Sequence, residues 1–372
     1  MSEFTEKQYL LWLSNVSGMT NIRVEALLAH FGNACEIYSA DTCELRGFSF
    51  MSETMLDDLT SKEKAGRIDE LCRKIESSDT KYITKFEPEY PFLLNAIYDS
   101  PLLLYYRGTI PDNRLPNISI VGTRKCSEYG VNAAHLISRN LAKCGVTIVS
   151  GMARGLDSAA HLGALEGGGL TVAVLGCGVD ICYPPENKSL MEKIQNNGCV
   201  VSEFPLGTPA LKAYFPKRNR IVSGLSLATV VVEADEKSGT EITANLALEQ
   251  GRDVFAVPGS IFSKQSIGTN NMLKNGAIPL TNYMDVINYL ANTASIDFGV
   301  LPDEEIEIEP NLDDDNESSV VYKHIKSESI TIDELISLTG LSAQKTLVAL
   351  TKLENRGLIE RLPGQRCIKS IR

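Results

Sequence analysis

From residue 117 to residue 257 short apolar runs alternate with amphipathic stretches. NISIV (117–121), VTIV (146–149), LTVAVL (170–175), CVVS (199–202), LATVVVE (227–233) and VFAV (254–257) have the length and β-branched content of buried strands. Between the first two, Ala134, Ile137, Leu141 and Cys144 recur at helical spacing, with Gly145 placed to end the helix. Six such strands separated by helices predict an α/β fold, a doubly wound parallel sheet covered on both faces.

The flanks follow other periods. Leu10, Leu13 and Val16 precede Gly18, and Val24, Leu27, Leu28 and Phe31 precede Gly32, so residues 1–65 read as a small N-terminal helical domain. Residues 66–110, rich in Pro and Tyr beyond 81, read as an extended connector packing on the 111–291 core. Toward the end, Thr331 and Glu334 form a capping box, Gly340 stops that helix, and Ser342 opens another carrying Leu347, Leu350 and Leu353. LIERLPGQRCIKSI then reads as two strands around Pro363-Gly364. Helix, turn, helix and hairpin over 319–372 is the order of a winged-helix domain.

Charge sharpens these boundaries. The 372 residues carry a formal charge of −11, but residues 292–318 hold ten acidic side chains and no basic one. That segment has the composition of a disordered linker, and the rest of the chain is close to neutral. Residues 342–372 hold seven basic side chains against Glu354 and Glu360. No apolar run reaches the roughly 18 residues of a membrane span, and MSEFTEKQ lacks the basic-then-apolar order of a signal peptide, so a cytoplasmic chain is expected. Nine scattered cysteines without a Cys-x-x-Cys read as buried free thiols.

In a doubly wound sheet, ligands bind at the loops after the carboxyl ends of the strands. Here those loops are Gly122-Thr123-Arg124, Ser150 to Asp157 (which includes Gly151, Arg154 and Gly155) and Gly176-Cys177-Gly178. FPKRNR follows the fourth strand, and Lys237-Ser238-Gly239-Thr240 follows the fifth at the start of a helix. Glycine and hydroxyl residues at helix starts expose backbone N–H groups that hold phosphate. Arg124, Arg154, Lys217, Arg218 and Arg220 would line one edge with them as a phosphate track. NAD, FAD and ATP are poorly supported, because Ile181 stands where a dinucleotide fingerprint needs its third glycine and no P-loop occurs. Asp157 and His161 share a helix face at i, i+4, but no third metal ligand accompanies them and Asp157 also suits a helix start. No hydrolase triad can be assembled from the four histidines.

IVGTRKCSEYG, VSGMARGLDSAAH, LGCGVDICYPPEN, YFPKRNRIVSGLS, EADEKSGTEITANLALEQGRDVFAVPGS and GTNNMLKNGA occur in an order and spacing that resemble the DNA-processing protein A (DprA, or Smf) family over residues 81–281. The resemblance implies a Rossmann-like core, and a cytoplasmic homodimer that binds incoming single-stranded DNA in natural transformation and loads the RecA recombinase onto it. No catalysis, metal or nucleotide cofactor is implied. It makes Arg124, Arg154, Lys217, Arg218, Asn219 and Arg220 the DNA-contacting candidates, with Phe215 as a stacking platform. Gly122, Thr123, Gly151, Gly155, Ser238, Gly239 and Thr240 would supply the loop contacts.

Two other classes compete. Nucleoside-monophosphate phosphoribohydrolases, also Rossmann-like, carry Gly-Gly-x-Gly-Thr-x-x-Glu with a catalytic Glu, whereas residues 236–243 read EKSGTEIT, with Thr243 in the Glu position. A duplex-binding regulator would instead use the basic helix that begins at Ser342.

Overall fold

The structure, a computed structural model, describes residues 4–236, 239–294, 296, 298, 316–325, 330–362 and 364–369. It divides into two compact units, residues 1–301 and 302–372.

The first unit is built on a nine-stranded sheet: β1 Lys81–Thr84, β2 Leu103–Gly108, β3 Asn117–Val121, β4 Thr147–Ser150, β5 Thr171–Val174, β6 Gly198–Ser202, β7 Ala228–Val231, β8 Asp253–Ala256 and β9 Ile278–Pro279. Their order is β1-β2-β6-β5-β4-β3-β7-β8-β9. Pairing is parallel from β6 through β9, while β1 and β2 add an antiparallel edge. The six strands legible in the sequence are thus all present, and the 81–108 segment expected as a connector extends the same sheet.

Both faces are covered. Ile118, Ile120 and Ile148 point into one core with Ala134 and Leu141 of the Glu128–Lys143 helix and with Val286 and Leu290 of the Tyr283–Thr293 helix. The alternate residues Val121, Val149, Val172 and Val174 point into the other, with Ile221 and Val222 of the Tyr214–Gly224 helix and Ala244 and Ala247 of the Gly239–Glu249 helix. This two-sided burial is why the strands read as continuous apolar runs.

Six N-terminal helices, from Glu6 to Glu76, enclose their own core of Leu10, Trp12, Leu13, Leu27, Ile37 and Leu59, joined by Leu102. The last of them, Lys64–Glu76, runs past residue 65.

In the second unit the helices Asn316–His324, Ile332–Thr339 and Ala343–Asn355 pack with a three-stranded sheet of β10 Ile330–Thr331, β11 Ile359–Leu362 and β12 Arg366–Lys369, in the order β10-β12-β11. The Thr331/Glu334 capping box and a left-handed Gly340 at φ +67 bound the Ile332–Thr339 helix. Ser342 caps the helix that follows. Most of the acidic segment lies outside the described residues. No helix among the described residues is long and apolar enough to cross a membrane. Among the described residues the cysteines form no disulfide; Cys177, Cys199 and Cys367 are buried but Cys43 is exposed and the other five are intermediate, so they are not uniformly buried thiols.

Candidate nucleic-acid interface

The chain leaves β3 to run outward through β4, β5 and β6, and then returns to place β7 on the other side of β3. Loops after β3 and β7 therefore part at the carboxyl edge, the place where this topology opens a crevice. A cleft of ≈ 720 Å³ lies there, lined by the loops after β3, β4 and β7 and by the starts of the Tyr214–Gly224 and Gly239–Glu249 helices.

The YFPKRNR stretch, grouped in the sequence with the strand-end loops, is the first part of the Tyr214–Gly224 helix. Its periodicity disperses the basic cluster. Phe215, Arg218, Asn219 and Val222, at i, i+3, i+4 and i+7, all line the cleft. Lys217 and Arg220 instead line a separate cleft of ≈ 320 Å³ on the side of the N-terminal helices.

Arg218 forms part of the floor. It is 3% exposed, and its Nη1 donates to the carbonyl of Gly151 at 2.6 Å and to that of Val174. A Cβ at residue 151 would stand 2.5 Å from the guanidinium, so the glycine makes room for the arginine. Burial lowers Arg218 to about 10, opposed by the nearby Asp157 carboxylate, which leaves it cationic at neutral pH. Asp157 is the second residue of the Leu156–Glu166 helix; burial raises its carboxyl while Arg218 and the amide of Ala153, 3.2 Å away, pull it back.

Above this floor the side chains are accessible. Phe215 packs its ring over Gly176, with the Arg124 guanidinium 5.2 Å from the ring centroid and the Tyr183 ring 5.4 Å away. Arg124, Lys125 and Lys212 are exposed at the rim. Among the described residues the lining holds Arg124, Lys125, Lys212 and Arg218 against Asp157 and Asp235, four cations to two carboxylates. Lys212 makes no ion pair among the described residues. A chain with net charge −11 thus concentrates positive charge where its sheet opens.

The other residues expected from the sequence fall as follows. Gly122, Thr123, Gly151, Gly239 and Thr240 line the cleft. Gly122 also lets the β3 loop approach Leu156, whose Cδ1 would meet an added Cβ at 2.0 Å. Gly155, at φ +81, is the N-cap of the Leu156–Glu166 helix and packs beneath residues 123–126 rather than in the cleft. Arg154 lies outside the lining, its side chain 65% exposed and paired through Nε with Glu186. Arg220 pairs with Asp99 at 3.1 Å and Glu203 at 2.5 Å, and Asn21 of the N-terminal helices donates to both carboxylates. Ser238 lies outside the described residues.

His161 does not join Asp157 in a metal set. Its Nδ1 is 2.7 Å from Thr171 Oγ1, whose hydroxyl donates to the carbonyl of Ile148, so Nδ1 carries the proton. Burial, reinforced by the charge of Arg218, holds the imidazole at about 3, and it is neutral.

Reading the sequence missed Lys125, Lys212 and Tyr183 as site residues. Lys212 is separated from the FPKRNR cluster by a turn. Tyr183 had only its place in the CYPPEN segment as a signal, and a rim aromatic has no pattern of its own.

Residues 81–291 match the family model described as DNA recombination-mediator protein A, and residues 308–365 match the DprA winged helix domain. Protein Smf of Synechocystis sp. is 32% identical over 97% of this chain and 98% of its own length. The DNA processing protein DprA of Streptococcus pneumoniae is 36% identical over 75% of this chain and 96% of its own length. Among solved structures, the X-ray structure of the S. pneumoniae protein superposes with a TM-score of 0.67, covering 77% of this chain and 98% of that one at 33% identity. The DNA processing protein A of Helicobacter pylori, described for its single-stranded DNA binding mode, superposes with a TM-score of 0.51 over 57% of this chain and 96% of that one, at 32% identity.

Proposed function

Given that the chain belongs to the DNA recombination-mediator protein A family, the DprA/Smf proteins, we propose that it binds single-stranded DNA in the cleft at the carboxyl edge of its sheet, protects it, and loads a RecA-type recombinase onto it. The setting of this reading is a cytoplasmic homodimer acting in natural transformation or another recombination pathway, without metal, nucleotide or turnover.

One observation carries the DNA part of this reading. Arg124 lies over the half-buried ring of Phe215, within a cleft whose cations outnumber its carboxylates among the described residues. Single-strand binders combine these two elements, a cationic groove that follows the backbone and an aromatic face on which any base stacks. In this reading Arg124, Lys125 and Lys212 take phosphates and Phe215, with Tyr183 beside it, takes a base. Asn219 and the backbone of Gly122, Thr123, Gly151, Gly239 and Thr240 line the path. Arg218 shapes the floor. Lys217, exposed on the neighbouring cleft, extends the cationic surface along the helix. Thr243 lines the cleft with a hydroxyl, which cannot act as the carboxylate that a phosphoribohydrolase needs there.

Fluorescence anisotropy of the full chain with a single-stranded oligonucleotide and its duplex tests the reading. Preference for the single strand supports it, and equal or tighter duplex binding shifts the site to the winged-helix unit. Recombinase filament formation on the bound strand, with and without the protein, tests the loading step.

A further inference from the structure

The first two helix starts behind the sheet edge, where a doubly wound sheet ordinarily seats a phosphate, are already filled by the chain's own carboxylates. Behind β3, Ser127 caps the Glu128–Lys143 helix, and Glu233, arriving from β7, is 1% exposed with both oxygens engaged there. Its Oε2 accepts from the Ser127 amide at 2.9 Å and its Oε1 from the Ser127 hydroxyl at 2.5 Å. Gly130, in the first turn of that helix, has no side chain because a Cβ would stand 2.3 Å from Oε2. The main chain of the same residue fixes the β3 loop, since Glu233 O accepts from Thr123 N at 2.9 Å. Behind β4, Asp157 occupies the first turn of the Leu156–Glu166 helix, where its Oδ2 accepts from the Ala153 amide at 3.2 Å.

Each carboxylate satisfies donors that a nucleotide phosphate would otherwise receive, and each places a negative charge at the positive end of a helix. An incoming phosphate finds those amides taken and a like charge beside them. What remains for an anion at β3 and β4 is the exposed side-chain cations of the rim. A single exposed ion pair in water binds weakly, whereas a strand engages several cations at once and releases counterions at each.

We infer that Glu233, with Asp157 at the next helix start, is a specificity-determining residue: it stands in the place of a nucleotide's phosphate and so keeps free mononucleotides out of a cleft left open to polymeric strands. The inference deepens the single-strand reading and rests on it for the identity of the polymer.

The test titrates AMP and inorganic phosphate into the full-length wild type, Glu233→Ala and Glu233→Gln, with oligonucleotide anisotropy measured in parallel. Glu233→Ala is expected to bind AMP at least about tenfold more tightly than the wild type, and to be raised in melting temperature by phosphate buffer relative to chloride where the wild type is not. Glu233→Gln keeps the shape and one of the two acceptor oxygens but loses the charge, and is expected to gain less for AMP than Glu233→Ala. Should Glu233→Ala prove too unstable to titrate, Glu233→Ser frees nearly as much volume and likewise removes the carboxylate, and its phosphate-dependent melting gives the same reading. A folded Ala or Ser variant with no gain for AMP or phosphate overturns the inference, as does a wild type that already binds AMP as tightly as the variant. Failure of the wild type to bind oligonucleotide would overturn the DNA reading and leave the AMP comparison intact.

Discussion

Arg218 and Gly151 are fitted to one another: Nη1 donates to the Gly151 carbonyl at 2.6 Å, and a Cβ at residue 151 would stand 2.5 Å from the same nitrogen. The arginine ties the ends of β4 and β5 together through Gly151 and Val174, and gives Asp157 its nearby positive charge. Arg218→Ala leaves a buried carboxylate without that charge and should lower unfolding stability by about 3–5 kcal/mol. Gly151→Ala, which evicts the guanidinium, should approach the same cost. The double variant should then lose much less than the sum, because both changes remove one interaction. Urea titrations of the three proteins check this, and strict additivity would refute the coupling.

Arg220 belongs to the boundary between the sheet and the N-terminal helices. Burial raises the Glu203 carboxyl, and Arg220 is the main charge opposing it. In Arg220→Ala the folded-state value rises further. A raised carboxyl contributes its stability below the unfolded-state value and loses it as pH rises through the folded-state value. The variant should therefore be destabilised on the order of 3 kcal/mol at pH 7, with the deficit shrinking toward pH 4. Melting temperatures of both proteins across that range provide the check.

Phe215→Leu should cost about 1–3 kcal/mol of oligonucleotide affinity if a base stacks on the ring. Leucine carries the same charge as phenylalanine, so the dependence of affinity on salt should not change. Anisotropy titrations at several salt concentrations separate the two effects.

His161 ties stability to acid. Its folded-state value of about 3 lies below the ordinary 6.5, so the unfolded chain takes up the proton first as pH falls. The contribution is complete above about pH 6.5 and drains away as pH drops toward the folded value, at up to about 1.4 kcal/mol per pH unit. His161→Asn keeps a donor toward Thr171 and removes the titration. Its stability should fall less steeply than that of the wild type between pH 6 and pH 4, as read by urea unfolding.

The strands of the core were legible because parallel strands buried on both faces are apolar at every position, as in NISIV and VTIV. β1 and β2 were not, because KYIT and LLYYRG sit among Pro and Tyr and take their strand pairing from an edge that only the folded sheet supplies. The site was legible as an edge of glycine turns and cations. Its polarity was not. Lys217, Arg218 and Arg220 are neighbours in sequence, but a helix turns them about 100° per residue and sends one to the floor of the cleft and two to another face. Nothing local distinguishes an arginine bound to carbonyls from one open to phosphate. The distinction comes from Gly151, Glu203 and Asp99, all of them remote from the helix in sequence.

In the proposed function the exposed rim cations, and not Arg218 and Arg220 of the Tyr214–Gly224 helix, hold the backbone of a single strand. The most direct measurement is the slope of log K against log salt for a single-stranded oligonucleotide, taken for the wild type, for Arg124→Ala/Lys125→Ala/Lys212→Ala, and for Arg220→Ala. Each phosphate contact on a single strand contributes roughly −0.7 to that slope, so the triple variant should flatten it by about 2 units at an unchanged melting temperature. Arg220→Ala should melt earlier and keep the wild-type slope. A triple variant with the wild-type slope, or an Arg220→Ala variant with a flattened one, would contradict the assignment.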